Sequence, residues 1–276
     1  MHYSKNSLTI TVNDLTVSYI DEGLTNSPTI IFIHGFPLNK LMWEKQIEVY
    51  KENYRVIAYD IRGHGNTEVG NVNFSIELFV YDLLSLMDAL KIDKAILCGF
   101  SMGGYIALNA IEHHPERFNA LLLCDTNCAA DSSETKENRM ITIEVIKAKG
   151  IEEYAEESLK KLFAPISYSN HIEEIAVVRE MIMNTSEQSL YKTLHALAER
   201  SDACSRLHKI KVPVLILVGK EDVITPPDVA LSMHEKMKGS FIHVIDYAGH
   251  VSNMENSKEF NNQLSEFLSL ISVKQY

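Results

Sequence analysis

The sequence predicts an α/β fold with a mostly parallel central sheet, and three observations carry that prediction. Short continuous apolar runs such as Thr29-Ile30-Ile31-Phe32-Ile33 and Ala120-Leu121-Leu122-Leu123-Cys124 read as strands buried on both faces. These runs alternate with longer segments of helical spacing, the pattern of strand–helix–strand units. A glycine-flanked serine, in Gly99-Phe100-Ser101-Met102-Gly103, lies between one such run and the helical segment that follows it. A strand, a sharp turn and a helix with one hydroxyl at the apex suit a nucleophile, because the N–H after the serine lies at the positive end of the helix.

Taken in order, Leu8–Val12, Asn13-Asp14 and Leu15–Ile20 read as a hairpin. The strand Thr29–Ile33 ends in His34-Gly35-Phe36-Pro37, and a helix is expected from Met42 to Tyr50. The strand Tyr54–Tyr59 ends at Asp60, which opens the glycine-punctuated loop Asp60–Thr67. Ser75 is placed to cap a helix running to about Leu90, with Glu77 and Asp82 on its acidic face. The strand Ala120–Cys124 ends at Asp125.

From Asn127 to Ser205 no strand-like run occurs. Four helices are expected there, over Ser133–Lys149, Ile151–Phe163, Asn170–Met183 and Glu187–Arg200. Alternation then resumes with the strand Val212–Val218, a helix entered through Pro226-Pro227, the strand Ser240–Ile245 and a closing amphipathic helix from Ser257 to Ile271. The expected organisation is a core of residues 1–126 and 206–276 interrupted by a helical cap of residues 127–205. Ligands of open parallel sheets bind outside the carboxyl ends of the strands. His34, Asp60, Ser101, Asp125, Asp222 and the segment before His250 all follow strand ends, so they converge on one rim.

Composition narrows the function. The net charge is −11, and no basic stripe is available for nucleic acid. No apolar run approaches the ~18 residues of a membrane span, and Met1–Lys5 leads into no signal-peptide core. Of four cysteines, Cys98 and Cys124 fall in core strands as buried thiols, and Cys128 reads as a bystander. No metal-ligand spacing is present, no cofactor is implied, and a reducing cytoplasm is the expected compartment.

The Gly-x-Ser-x-Gly motif alone is weak, since chance supplies it in roughly a few per cent of chains this long. Serine also needs a base, and the base an orienting acid. Gly219-Lys220-Glu221-Asp222, followed by Thr225-Pro226-Pro227, puts an acid just past a strand. Gly249-His250 puts a histidine on the loop after the last strand, where the other histidines, among 11 in all, do not lie. Asp125 stays open as an alternative acid. Asp60 reads as a loop organiser that accepts backbone N–H groups.

With His34-Gly35-Phe36-Pro37, Asp60-Ile61-Arg62-Gly63-His64-Gly65 and the Asn253 and Glu255 that follow His250, these segments resemble the α/β-hydrolase fold family over nearly the full length. The resemblance implies Ser101 as nucleophile, His250 as general base and then acid, and Asp222 as orienter. It implies an oxyanion hole from the N–H groups of Phe36 and Met102, and structural roles for His34 and His64. A serine at the elbow, rather than an aspartate, points away from epoxide hydrolases and haloalkane dehalogenases. The closer resemblance is to 3-oxoadipate enol-lactonase-type hydrolases and small carboxylesterases, so an ester or lactone is the expected substrate. Acyl transfer, perhydrolysis, carbon–carbon hydrolysis and slow-turnover ligand sensing use the same scaffold. Arg139 is a candidate partner for a substrate carboxylate, although a helix-face arginine is more commonly just solvated.

Overall fold

The computed structural model describes residues 7–13 and 15–273, so Asp14 of the hairpin turn and the Met1–Lys5 segment lie outside it. The elements follow in order: β1 Leu8–Val12, β2 Leu15–Gly23, β3 Thr29–Ile33, α1 Glu44–Tyr50, β4 Arg55–Tyr59, α2 Ile76–Ala89, β5 Ala95–Phe100, α3 Met102–His113 and β6 Phe118–Cys124. A helical insert comes next: α4 Ser133–Lys149, α5 Ile151–Leu162, α6 Ser167–Asn170, α7 Ile172–Met183 and α8 Glu187–Glu199. The chain closes with β7 Val214–Gly219, α9 Pro227–Lys236, β8 Phe241–Ile245, α10 Ser252–Glu255 and α11 Ser257–Val273.

The eight strands form one sheet in the order β1-β2-β4-β3-β5-β6-β7-β8. Only β1 with β2 and β2 with β4 pair antiparallel. The pleat explains why the central strands are apolar throughout. Ile31, Ile33, Leu97, Leu121 and Leu123 enter the core on one face, while Ile30, Phe32, Ile96, Cys98 and Leu122 enter the core on the other. The strand order reverses between β3 and β5, which places the loops after these two strands beside one crevice.

Local chemistry sets the helix starts. The Ser75 hydroxyl accepts the N–H of Leu78 at 3.1 Å and caps α2 as expected. Asp82, however, is not on a solvated acidic face. It is buried and holds Arg62 through two bonds of 2.7 Å, because the loop after β4 folds onto α2. The elbow needs its glycines: a Cβ on Gly103 would sit 2.3 Å from the carbonyl oxygen of Ile33, so α3 passes too close to β3 for any side chain.

The insert packs α4 against α8 through Ile143, Ile146, Leu190 and Leu194. Its two connections meet at its root. Cys128 and Cys204, 76 positions apart, form a disulfide, and the N–H of Ala203 donates to the carbonyl of Cys128 at 2.8 Å. This corrects the reading of Cys128 as a bystander. The insert leaves after Cys124 at the end of β6 and returns through Cys204–Lys209 toward β7, and the Cα atoms of Cys128 and Cys204 come within 4.8 Å. Cys98 and Cys124 are free and buried, as expected. With half the cysteines bonded, cysteine usage no longer argues for a reducing compartment. Among the described residues no helix is long and apolar enough to cross a membrane.

Candidate active site

Ser101 occupies the turn between β5 and α3 with φ 50° and ψ −113°, a conformation that a non-glycine residue adopts only under constraint. The constraint is visible. Its N–H donates to Cys124 at 2.9 Å, and its carbonyl accepts the Thr126 hydroxyl at 2.7 Å. The side chain therefore stands off the sheet, and Met102 opens α3 with an N–H that has no place in the intrahelical ladder.

The Ser101 hydroxyl donates to Nε2 of His250 at 2.9 Å, and Nδ1–H of His250 donates to Oδ2 of Asp222 at 2.8 Å. Three segments remote in sequence thus form one hydrogen-bonded relay within the reach that proton transfer needs. Ser101 is 9% exposed and His250 2%, so the relay is nearly dry and open only at the serine. Asp222 also accepts the N–H groups of Ile224 and Thr225, at 2.8 and 2.9 Å, and the Thr225 hydroxyl at 2.7 Å. Burial pushes its carboxyl up, but His250 and the Thr225 bonds outweigh burial and hold it below the ordinary carboxylate range.

Asp125, the alternative acid, faces elsewhere. Its oxygens accept the N–H of Gly219 at 2.8 Å and the hydroxyl of Ser252 at 2.6 Å. Burial, reinforced by the charge of Asp222, pushes its carboxyl well above the ordinary range. Asp125 thus ties β6 to β7 and α10, while Asp222 meets the imidazole. Asp60 behaves as expected, accepting the N–H groups of Lys40 and Asn66 at 2.9 Å. It also forms a buried ion pair with Lys40 Nζ at 2.6 Å, which nothing in the sequence marked. His34 accepts the N–H of Ile61 at 2.9 Å, and burial holds its imidazole well below the usual range, so it is a neutral brace. His64 is buried and bonds the carbonyl of Arg62 at 3.1 Å.

Two further groups were given no role by sequence reasoning, although Glu255 is among the residues that carry the resemblance. Glu255 accepts the N–H of Gly249 at 2.8 Å through one oxygen. Through the other it accepts the N–H of Ala164 at 2.8 Å and the Ser167 hydroxyl at 2.6 Å. The His250 N–H donates to Leu162 at 2.8 Å, so the histidine loop and the end of α5 are fastened together. The second group is Asp131, buried between Arg139 and Arg200. Asp131 burial raises its carboxyl, but the two guanidinium groups more than offset this and leave it lowered. Each carboxylate also takes a partner from a distant segment, Arg200 for Asp131 and Ala164 for Glu255, which local sequence does not mark.

Above Ser101 lies a cavity of about 280 Å³, lined from below by Phe36, Ser101, Met102 and His250 and from above by residues of α4, α5 and α8. Tyr105, Tyr154, Leu194 and Leu197 give it apolar walls. Arg139 lies on this wall rather than on a purely solvated face. A larger groove of about 510 Å³ near Ile111 and Leu207 contains none of the relay residues.

The sheet, the elbow and the cavity define an α/β hydrolase, and the comparisons agree. Residues 28–143 match the family model described as alpha/beta hydrolase fold, and residues 195–275 match one described as TAP-like protein. The chain is 28% identical over 254 residues to 3-oxoadipate enol-lactonase 2 of Acinetobacter baylyi, covering 92% of this chain and 93% of that protein. The malate-bound structure of a thermophilic esterase from Thermogutta terrifontis is 32% identical and superposes with a TM-score of 0.91, covering 97% of this chain and 99% of that one. The enol-lactonase of Burkholderia xenovorans LB400 is 27% identical with a TM-score of 0.89, covering 95% of this chain and 100% of that one. The chain belongs to the α/β-hydrolase fold family, and its relatives place it among hydrolases acting on ester bonds.

Proposed function

We propose that this chain hydrolyses a small carboxylic ester or lactone through an acyl-enzyme on Ser101. The observation that carries the reading is the unbroken relay from Ser101 through His250 to Asp222, with steps of 2.9 and 2.8 Å. Its similarity to enol-lactonases and to an esterase supports the substrate class.

In this mechanism the Ser101 oxygen attacks the substrate carbonyl as His250 Nε2 takes its proton. The carbonyl π-electrons move to oxygen, and the N–H groups of Phe36 and Met102 hold the resulting oxyanion. Losing one such donor typically costs about 10²–10³ in rate. The tetrahedral intermediate collapses, the alcohol or enol departs with the proton from His250, and an ester to Ser101 remains. Water then attacks that ester, giving its proton to the same imidazole, and the acid leaves as Ser101 recovers its hydrogen. Asp222 stabilises the imidazolium formed in each half. The insert spanning 127–205 acts as the cap that sets acyl length.

The test is a p-nitrophenyl ester series from acetate to octanoate, run beside an enol-lactone, on wild type and Ser101→Ala. The expected result is turnover by wild type, loss of at least about 10⁴-fold in the variant, and a fluorophosphonate adduct mapped to Ser101. Equal rates for the two proteins would refute the serine mechanism.

A further inference from the structure

Tyr105 separates two voids. It lies one turn of α3 beyond Ser101 and lines the cavity over that serine. It also lines a crevice of about 20 Å³, space for little more than one water molecule, that none of the relay residues reaches. Among the described residues Tyr105 is the one that lines both. Leu108, Glu112, Ala203 and Arg206 in turn line both the crevice and the groove of about 510 Å³ near Ile111 and Leu207. The three voids therefore follow one another, and Tyr105 closes off the catalytic one.

What holds the ring lies on the crevice side. Arg200 lines the crevice but not the cavity, and its guanidinium carbon sits 4.3 Å from the centroid of the Tyr105 ring. A guanidinium over an aromatic face is attracted by the ring electrons and packs against it. Arg200 is fixed in turn. It meets Asp131 at 2.5 Å, donates to the carbonyls of Ala129 at 3.2 Å and Leu197 at 2.9 Å, and its side chain is 6% exposed. A substrate arm that reaches Tyr105 thus meets a wall that cannot turn aside without losing the Arg200 contact. Each methylene left in water beyond that point forgoes the roughly fourfold gain that burial brings.

We infer that Tyr105, backed by Arg200, is a specificity determinant that ends the apolar arm of the substrate, so that the site selects esters or lactones with a short arm on that side. This rests on the hydrolytic reading of the site, and it assigns one end of the cavity to a residue of the core braced by a residue of the insert. The crevice and the groove behind the ring would lengthen the same arm if the ring were absent.

The experiment measures kcat/KM for p-nitrophenyl butyrate and decanoate, and, by pH-stat, for butyl and decyl acetate. The long arm then lies once on the acyl side and once on the alcohol side. In one of the two series Tyr105→Ala should raise the long-to-short ratio at least about tenfold over wild type, since two newly buried methylenes bring about fourfold each. Tyr105→Phe keeps the ring and should keep the wild-type ratio, whereas Arg200→Met removes the backing and should raise it by less than Tyr105→Ala. Leu194→Ala enlarges the same cavity from α8 without meeting the crevice, and should move the ratio by less than about threefold. Adding Asn109→Trp, which refills the crevice, to Tyr105→Ala should bring the ratio back toward wild type. If Tyr105→Ala does not fold, Tyr105→Leu carries the same test. A ratio unchanged in both series, with brisk turnover of the short esters, overturns the inference and leaves the hydrolase reading standing. A rise in Leu194→Ala equal to that in Tyr105→Ala overturns it as well. If wild type turns over no ester, the hydrolase reading fails and binding decides: 1-decanol must raise the melting temperature of Tyr105→Ala more than that of wild type, each relative to 1-butanol, and equal shifts reject the inference.

Discussion

Removing the bond between Cys128 and Cys204 tests how the insert is secured. The perturbation is the double substitution Cys128→Ser with Cys204→Ser, or reduction of the wild type. The bond closes a loop of 76 positions. In the chain-entropy treatment such a loop removes about 15 cal/mol/K from the unfolded ensemble, or about 4.5 kcal/mol at 25 °C. The folded state loses little, because the Ala203–Cys128 backbone bond and the β6–β7 pairing hold the same junction without the sulfurs. The cost therefore falls mainly on the unfolded side. At about 2.1 cal/mol/K per residue over 276 residues, the melting temperature should fall by about 8 °C. Scanning calorimetry with and without reductant measures the shift. Thiol titration of the denatured, unreduced protein should count the two free cysteines, Cys98 and Cys124. A titration of four thiols, or melting curves that coincide within about 1 °C, would refute the reasoning.

The remaining predictions concern the site and its support. Asp222→Asn should lower kcat by about 10⁴-fold by spoiling the imidazole orientation, whereas Asp125→Asn should stay within about tenfold, because Asp125 bonds Gly219 and Ser252 instead; the reverse order would make Asp125 the acid. Activity should fall toward low pH if His250 is the general base, and the depressed carboxyl of Asp222 stays ionised until the pH is below the ordinary carboxylate value. The acid limb of kcat/KM should then have a slope of one, from a single general base, and a flat profile or a slope of two rejects the assignment. By the same sign, the stability from the Asp222–His250 contact is present above the unfolded carboxylate value of about 3.9 and is lost only as pH falls through the lower folded one. Gly103→Ala should cost about 3 kcal/mol or more, since its Cβ would meet the Ile33 carbonyl at 2.3 Å and no rotamer can relieve a backbone clash; a urea midpoint equal to that of wild type would contradict this.

The local elements were legible because each is written in short-range chemistry. Continuous apolar runs mark strands buried on both faces, the Ser75 cap marks the start of α2, and paired glycines around Ser101 mark a tight elbow. The helices Ser133–Lys149 and Glu187–Glu199 of the insert end within a residue of expectation, because Gly150 and the extended backbone at Arg200 stop them. The helix expected over Asn170–Met183 ends as expected but begins two residues later, at Ile172, because the backbone at His171 leaves helical geometry.

By itself, then, the sequence determined the fold class, the order of nucleophile, acid and base candidates along the chain, and the convergence of those candidates on one rim. Only the tertiary structure distinguishes the surroundings of Asp222 and Asp125, because both follow strand ends and just one bonds the imidazole. It also decided the pairing of Cys128 with Cys204, the Lys40–Asp60 pair and the clamp of Asp131 on Arg139 and Arg200. Apart from Asp131 with Arg139, eight positions apart, each of these joins residues remote in the chain. Propensity and periodicity act over a few residues, whereas the distance between two side chains on different elements is set only when the whole sheet and its insert have packed.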